Sequence, residues 1–426
     1  MEHGAEKVAA AAQPVEEVPL TPVPTGPIPD GGLTAWLQVA GSFLCCFNSW
    51  GIVNSFGVFQ TYYVTELLKD SSSPGAISWI GSVQSFLLLG MGVLSGPLFD
   101  AGLLKSLIAV AVFCITLGFM MNSLATQYWQ IFLAQGICMG LGAGCLITPS
   151  FSLLPQYFER RRALAVGIAV VGSSLGGVIY PLVFQGLVTK IGFAWTNRVI
   201  GFMCLATLSF SLVVMRARSR PRQVRSLIDP SAFRETPYLL FCGTMIFCNF
   251  GFFAPIFYLQ TYAMSHGVTD NNLALNLVAI LNAGSILGRL APALAVPKLG
   301  PTNVFLIVAS VAAIVAFSWI AVDTTAGNVV FAIMYGFWTG GIVSLPSVIL
   351  ASITEDLRFM GARLGVANLM NGLAALVGPP IAGALLSARG DYLGVQLFNG
   401  FILATSACFL TALRISRTGW KLKVKI

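Results

Sequence analysis

Charge is what this 426-residue chain has least of. Asp, Glu, Lys and Arg together make up 9% of it, against about 25% in a soluble domain, and that shortfall excludes an ordinary globular enzyme. Histidine is nearly missing, with only His3 and His266. There is no metal-ligand cluster, no phosphate-binding loop and no nucleophile with a base nearby, so no cofactor or metal is expected and enzyme chemistry has almost nothing to work with. The missing nucleotide domain excludes an ATP-driven pump. No Asn-x-Ser/Thr acceptor occurs, so N-glycosylation is not expected. The nine cysteines all lie inside apolar runs, which argues against a disulfide framework or a zinc site. The first 29 residues are rich in Ala, Pro and Glu, read as a disordered tail, and lack the basic-then-apolar order of a cleaved signal peptide.

What the chain has instead is apolar length. Apolar residues make up 56% of it, and a run of about 20 such residues spans a bilayer. Twelve runs can be counted, over 34–62, 76–98, 103–124, 127–154, 163–188, 194–215, 237–262, 272–297, 302–322, 328–352, 362–388 and 392–414. The fold class expected is therefore an all-α membrane protein of twelve transmembrane helices, embedded in a lipid bilayer. An even number of spans puts both termini on one side. Lys7, Lys105, Arg160 to Arg162, the arginines of 216–234, Lys298, Arg358, Arg363 and the cluster from Arg414 to Lys425 all fall on that side; only Lys69, Lys190, Arg198 and Arg389 fall on the other. Such a bias makes the termini cytoplasmic. Because the basic residues sit in short loops between spans, the net charge of +8 does not point to nucleic acid.

The segment 216–236 holds six arginines with Pro221 and Pro230 and splits the spans six and six. It reads as a cytoplasmic linker between bundles over 30–215 and 237–414, with a basic tail over 415–426; a helix lying along the membrane surface and a plain linker are both open for it. The halves also look alike. Gly136, Gly140 and Gly144 in the fourth span precede Pro149, as Gly336 and Gly340 in the tenth precede Pro346, and the fifth and eleventh spans are each entered through arginine, Arg162 and Arg363. Parallel repeats of this kind belong to transporters. Glycines at four-residue spacing let helices approach closely, so Gly140-Leu-Gly142-Ala-Gly144 reads as packing and not as a nucleotide loop.

One stretch organises the rest: Pro149 to Pro155, then Gln156-Tyr157-Phe158-Glu159-Arg160-Arg161-Arg162, then Ala163-Leu-Ala-Val-Gly167 with Gly172, Ser173 and Gly176. It is a membrane hairpin with a charged tip. Tyr157-Phe158, the basic run, Ala-Leu-Ala-Val-Gly167, Gly172-Ser173 and Gly176 resemble a signature of the monocarboxylate porter family within the major facilitator superfamily. Asp30-Gly31-Gly32-Leu33-Thr34-Ala35-Trp36 is similar to that family's second signature, with one extra residue and no aromatic after the glycines. The short loops and tails are more like the fungal members than the animal ones. The resemblance implies two six-helix bundles rocking about a central site as a secondary-active transporter, a functional monomer of the plasma membrane carrying a small organic anion or carboxylate-bearing metabolite, by uptake or by efflux. The rival from another class is a non-transporting sensor or scaffold on the same fold, which short tails and loops disfavour.

Gly96-Pro-Leu-Phe-Asp100-Ala-Gly102-Leu-Leu-Lys105 is similar to the superfamily's loop motif, which implies that Asp100 and Lys105, with Arg160, Arg161 and Arg162, act in gating; a solvated loop acid is the bland alternative for Asp100. Arg289 is the sharpest single signal. It sits about ten residues from the end of its span, ~15 Å at 1.5 Å per residue, where an arginine costs several kcal/mol without a wet cavity or a partner, and no carboxylate lies at a comparable depth in the sequence. In animal porters of the family the arginine at this place is a carboxylate ligand, paired with an aspartate one turn earlier and a lysine in the first span. The corresponding positions here are Ser285 and Asn54, so weaker or differently arranged proton coupling is expected. The bland reading has Arg289 bridging helix ends. Asn48, Gln84, Asn249, Tyr258, Asn282 and Ser285 are further candidate polar groups of a cavity, with Tyr335 and Trp338 as aromatic walls.

Overall fold

The computed structural model describes residues 29–218, 229–266, 271–354 and 360–419. The tail expected over 1–28, the middle of the linker with its open helix question, and the basic residues beyond 419 lie outside the described residues.

Among the described residues, eleven helical stretches are long and apolar enough to cross a membrane. One of them, Leu164–Val214, has 51 residues, about 77 Å of helix and more than two bilayer thicknesses. It is two spans: Gly192 sits at φ 76, ψ 169 and breaks it, a backbone conformation that glycine adopts without a Cβ penalty. The described residues therefore make twelve crossings, labelled here α1 (Leu33–Leu67), α2 (Pro74–Asp100), α3 (Leu104–Asn122), α4 (Tyr128–Gln156), α5 (162–191), α6 (193–214), α7 (Thr236–Ser265), α8 (Asn271–Leu299), α9 (Pro301–Ala321), α10 (Thr325–Ile353), α11 (Met360–Arg389) and α12 (Leu393–Thr418). Helices are the form such sequences take because lipid offers no partner for a free N–H or C=O. The side that carries the start of α1 and the end of α12 is called the terminal side below, and the opposite one the far side.

Local chemistry sets the ends. Ser73 accepts from the Ala76 N–H with Pro74 in the first turn of α2, and Thr324 accepts from the Gly327 N–H to start α10. Glycine spacing sets the packing inside each bundle. A β-carbon on Gly144 would come within 2.6 Å of the Leu87 carbonyl oxygen, and one on Gly336 within 1.9 Å of that of Leu281, so the glycines of α4 and α10 lie flush against α2 and α8.

Two antiparallel seams join the bundles, α2 against α11 and α5 against α8, and α1 meets α7. That last contact is made by the far-side part of α1 from Phe56 onward, where a β-carbon on Gly57 would fall 2.1 Å from the Ile256 carbonyl oxygen. Along α2/α11 the backbones are closest at the far side. A β-carbon on Gly383 would lie 2.6 Å from Gly75 Cα, whereas one on Gly365, near the terminal side, would meet Val93 at 3.8 Å, an ordinary contact. The bundles are pressed together most closely at the far side.

Candidate functional site

Arg289 lies in the α5/α8 seam and is 5% exposed, so it does not face lipid. Its Nε donates to Ser285 Oγ one turn back on α8 at 3.2 Å. Nη1 donates across the seam to Ser173 Oγ and to the Val170 carbonyl of α5, the latter at 3.4 Å. Cys46 of α1 lies near the guanidinium. A guanidinium has five N–H donors, and the two on Nη2 find no partner among the described residues. No carboxylate among the described residues pairs with it. The site can thus offer a planar anion two donors while the other edge of the cation stays tied to hydroxyls and a carbonyl.

The remaining candidates separate. Ser285 is brought to Arg289. Asn282 is 2% exposed, donates to the Val278 carbonyl of its own helix at 2.9 Å and presses on Gly177, where a β-carbon would come 2.4 Å from its Oδ1; it packs the seam a turn or two beyond Arg289. Asn54 lies two turns past Cys46, roughly 12 Å along α1, 2% exposed and with no partner for Oδ1 among the described residues. Trp338 Nε1 is likewise buried without one, and so are both amide atoms of Gln84. Tyr335 is committed elsewhere: its hydroxyl reaches the Phe252 carbonyl at 3.2 Å and Asn399 Oδ1 at 3.3 Å inside the second bundle. Tyr258 similarly donates to the Pro379 carbonyl at 3.1 Å, and Asn249 to Met245 of its own helix. Asn48 joins Thr207 and Tyr180 in a network internal to the first bundle.

The gating candidates sit on the terminal side. Asp100 is 3% exposed at the end of α2. Lys105 donates to the carbonyls of Leu212 and Val213, capping the last turn of α6, where a cation is favoured by the helix dipole. Arg160, Arg161 and Arg162 are exposed at the α4/α5 turn, and that turn is tied to the start of α1. Asp30 Oδ1 accepts from the N–H groups of Glu159 at 2.6 Å and Arg160 at 2.9 Å, while the Asp30 N–H donates to the Tyr157 carbonyl. Trp36 meets Phe158 edge-on, with ring centroids 5.2 Å apart. The Glu159 N–H is the leading reason the Asp30 carboxyl is held below the ordinary carboxylate range. The two short motifs at Asp30 and Tyr157 are therefore two sides of one junction.

In the sequence Arg363 is one basic residue of the terminal side, at the entry to α11. It is 5% exposed and takes Asp229 Oδ2 at 2.9 Å and both Glu235 oxygens at 2.7 and 2.5 Å. It pins the linker to the second bundle, and Ser231 together with Arg363 lowers the Asp229 pKa.

A family model settles what this architecture is. The model of the Major Facilitator Superfamily matches residues 39–379. The chain belongs to that superfamily. It is 43% identical over 373 residues to the MFS-type transporter dbaD of Emericella nidulans, covering 87% of this chain and 84% of the relative. It is 42% identical to the aspyridones efflux protein apdF of the same organism over 88% of this chain and 76% of that one. With the agnestins efflux protein AgnL12 of Paecilomyces divaricatus it shares 37% identity over 91% and 89%. Among solved structures, a mutant of the nucleoside transporter NupG superposes with a TM-score of 0.70 at 14% identity, over 90% of this chain and 100% of that one; at that identity the likeness shows the fold alone. This superfamily member is a multi-pass membrane transporter.

Proposed function

We propose that this transporter exports a small acidic metabolite whose anionic group is met by Arg289, and that it works in the manner of the monocarboxylate porter type. One observation carries the reading: a nearly buried guanidinium in a bundle seam keeps Nη2 unpaired, with no carboxylate among the described residues to neutralise it. A buried charge left in that condition is costly, and an anionic cargo removes the cost. The export direction is supported by relatives named as efflux proteins. On this reading the protein is a carrier without catalysis or cofactor, a functional monomer in the plasma membrane with cytoplasmic termini. Ser285 and Asn54 carry no titratable group at the places where acid and lysine stand in animal porters, so coupling to protons is weak or routed elsewhere.

Ligand-induced stabilisation tests this directly. Purified protein is melted in the presence of benzoate and decanoate and, separately, of the matching neutral amides, in the wild type and in Arg289→Gln. Binding to the folded state raises the melting temperature, so the acids are expected to stabilise the wild type only, and the amides neither. Equal stabilisation by acids and amides, or acid stabilisation that survives in Arg289→Gln, overturns the assignment.

A further inference from the structure

On the terminal side, Lys105 bonds to α6, the Arg160 N–H to Asp30, and Arg363 to Asp229 and Glu235, each within its own bundle or to the linker. At the far side bonds cross between the bundles, and among the described residues these crossings are made by neutral groups. The Thr61 hydroxyl of α1 donates to Gln260 Oε1 of α7 at 3.0 Å. Gln260 Nε2 then donates to the Leu275 carbonyl of α8, and the same carbonyl accepts from Gln185 Nε2 of α5. One backbone oxygen of the second bundle thus gathers an amide from each bundle. Thr61 and Gln260 are essentially inaccessible, at 1% and 0% exposure. Just inward on α1, Gly57 lets the chain lie on the Ile256 carbonyl.

We infer that Thr61, Gln185 and Gln260, closing on the Leu275 carbonyl, form the far-side gate of the transport path. Any cargo leaving from mid-depth to the far side has to pass where α1, α5, α7 and α8 are tied together, and there the bundles are pressed most closely. Neutral amides suit a contact that breaks in every cycle. Each such bond contributes little net stability because water replaces it on opening, whereas separating a buried ion pair leaves two stranded charges. The glycine at position 57 is the complementary element, since it alone allows the two backbones to meet when the gate is shut. The gate is assigned independently of what Arg289 binds.

The test is directional cysteine labelling. Asn54→Cys places a reporter one turn inward of Gly57, on the same face of α1, and a membrane-impermeant maleimide is added from each side of reconstituted vesicles, with the protein lacking the reporter as the background for the native cysteines. With the gate intact, far-side labelling is slow. In Gln260→Met combined with Gln185→Met, which keep the bulk and remove the donors, far-side labelling is expected to accelerate roughly 10- to 30-fold, the equilibrium worth of about two ordinary hydrogen bonds. Gly57→Leu, which wedges α1 from α7, is expected to do the same; Gln185→Met alone, at a half-buried residue, serves if that wedge does not fold and is expected to give a smaller acceleration in the same sense. Far-side labelling within twofold of the parent in the monodisperse double variant overturns the gate.

Discussion

Two arginines of the second bundle are equally buried, at 5% exposure, and have opposite company. Arg363 stands at the entry of α11 between two carboxylates, one of them, Asp229, as buried as itself. Arg289 stands near mid-depth with hydroxyls and a carbonyl for partners and an unused Nη2. Burial alone therefore does not mark a functional cation. What separates a clamp from a receptor is whether the protein supplies the counter-charge itself. Where it does, the arginine holds a linker in place; where it does not, the proposed anionic cargo supplies the balance.

The comparison breaks most visibly at Arg363. Arg363→Gln strands the Asp229 carboxylate in a buried position and should cost about 3 kcal/mol of stability. Little of that comes from Glu235, whose side chain is 39% exposed and whose pairing is screened by water. Thermal melting of the purified protein should show a clear drop, while acid export per folded molecule changes less than twofold. Arg289→Gln is expected to do the reverse, melting at or above the wild-type temperature and losing tenfold to about 100-fold in export, the worth of a charge-assisted hydrogen bond. If both variants fall in the same assay to the same degree, the two arginines are not different in kind.

A sharper version converts one arginine into the other. Ser285 Oγ already lies 3.2 Å from Arg289 Nε, so Ser285→Asp supplies a resident carboxylate of the sort Arg363 has. The cargo then competes with a tethered anion. Export is expected to fall by roughly tenfold near neutral pH, where one lost charge-assisted contact weighs about that much. A Ser285→Asp protein that exports normally at neutral pH would show that Arg289 is not the anion's ligand.

The sequence alone was enough to place twelve crossings, the glycine-lined contacts and the isolation of Arg289, because each depends on composition along one helix: apolar length, small residues at four-residue spacing, a lone cation in a run without acids. Bonds between distant helices left no such trace. Tyr335 is expected as an aromatic wall, and its hydroxyl bonds Asn399 and Phe252, which lie 64 and 83 residues away and are not signalled by spacing. Gln185 and Gln260 are single amides in apolar runs, indistinguishable from helix-packing residues. One signal was present and unused: Thr61 and Gln260 are 199 residues apart, and the same spacing separates Gly57 from Ile256, as expected where α1 and α7 are repeats that meet in parallel. Arg363 was noticed for its position; that its partners would come from the linker, 128 and 134 residues earlier in the chain, could not be read from spacing.

The smallest effect concerns the junction between the two short motifs. Asp30 is a third charged group, of the opposite sign, whose partners can be compared with those of Arg289 and Arg363, and here the protein uses backbone N–H groups of the 159–160 turn in place of a counter-charge. Its carboxyl is held below the ordinary range, so the sign follows: the ionised form is favoured by folding, the stabilisation is complete above the unfolded pKa of about 3.9, and it is lost as pH falls through the lower folded value. Asp30→Asn should therefore lower the melting temperature slightly at neutral pH, and it should flatten the part of the acid limb that lies below about pH 4. Asn keeps an oxygen for the turn but not the charge, so a residual cap remains. The change should leave export per folded molecule untouched, because neither Glu159 nor Arg160 reaches the α5/α8 seam through these bonds. If Asp30→Asn instead reduced export while melting as the wild type does, the α1 to α5 junction would belong with Arg289 among the working parts and not with Arg363 among the fasteners.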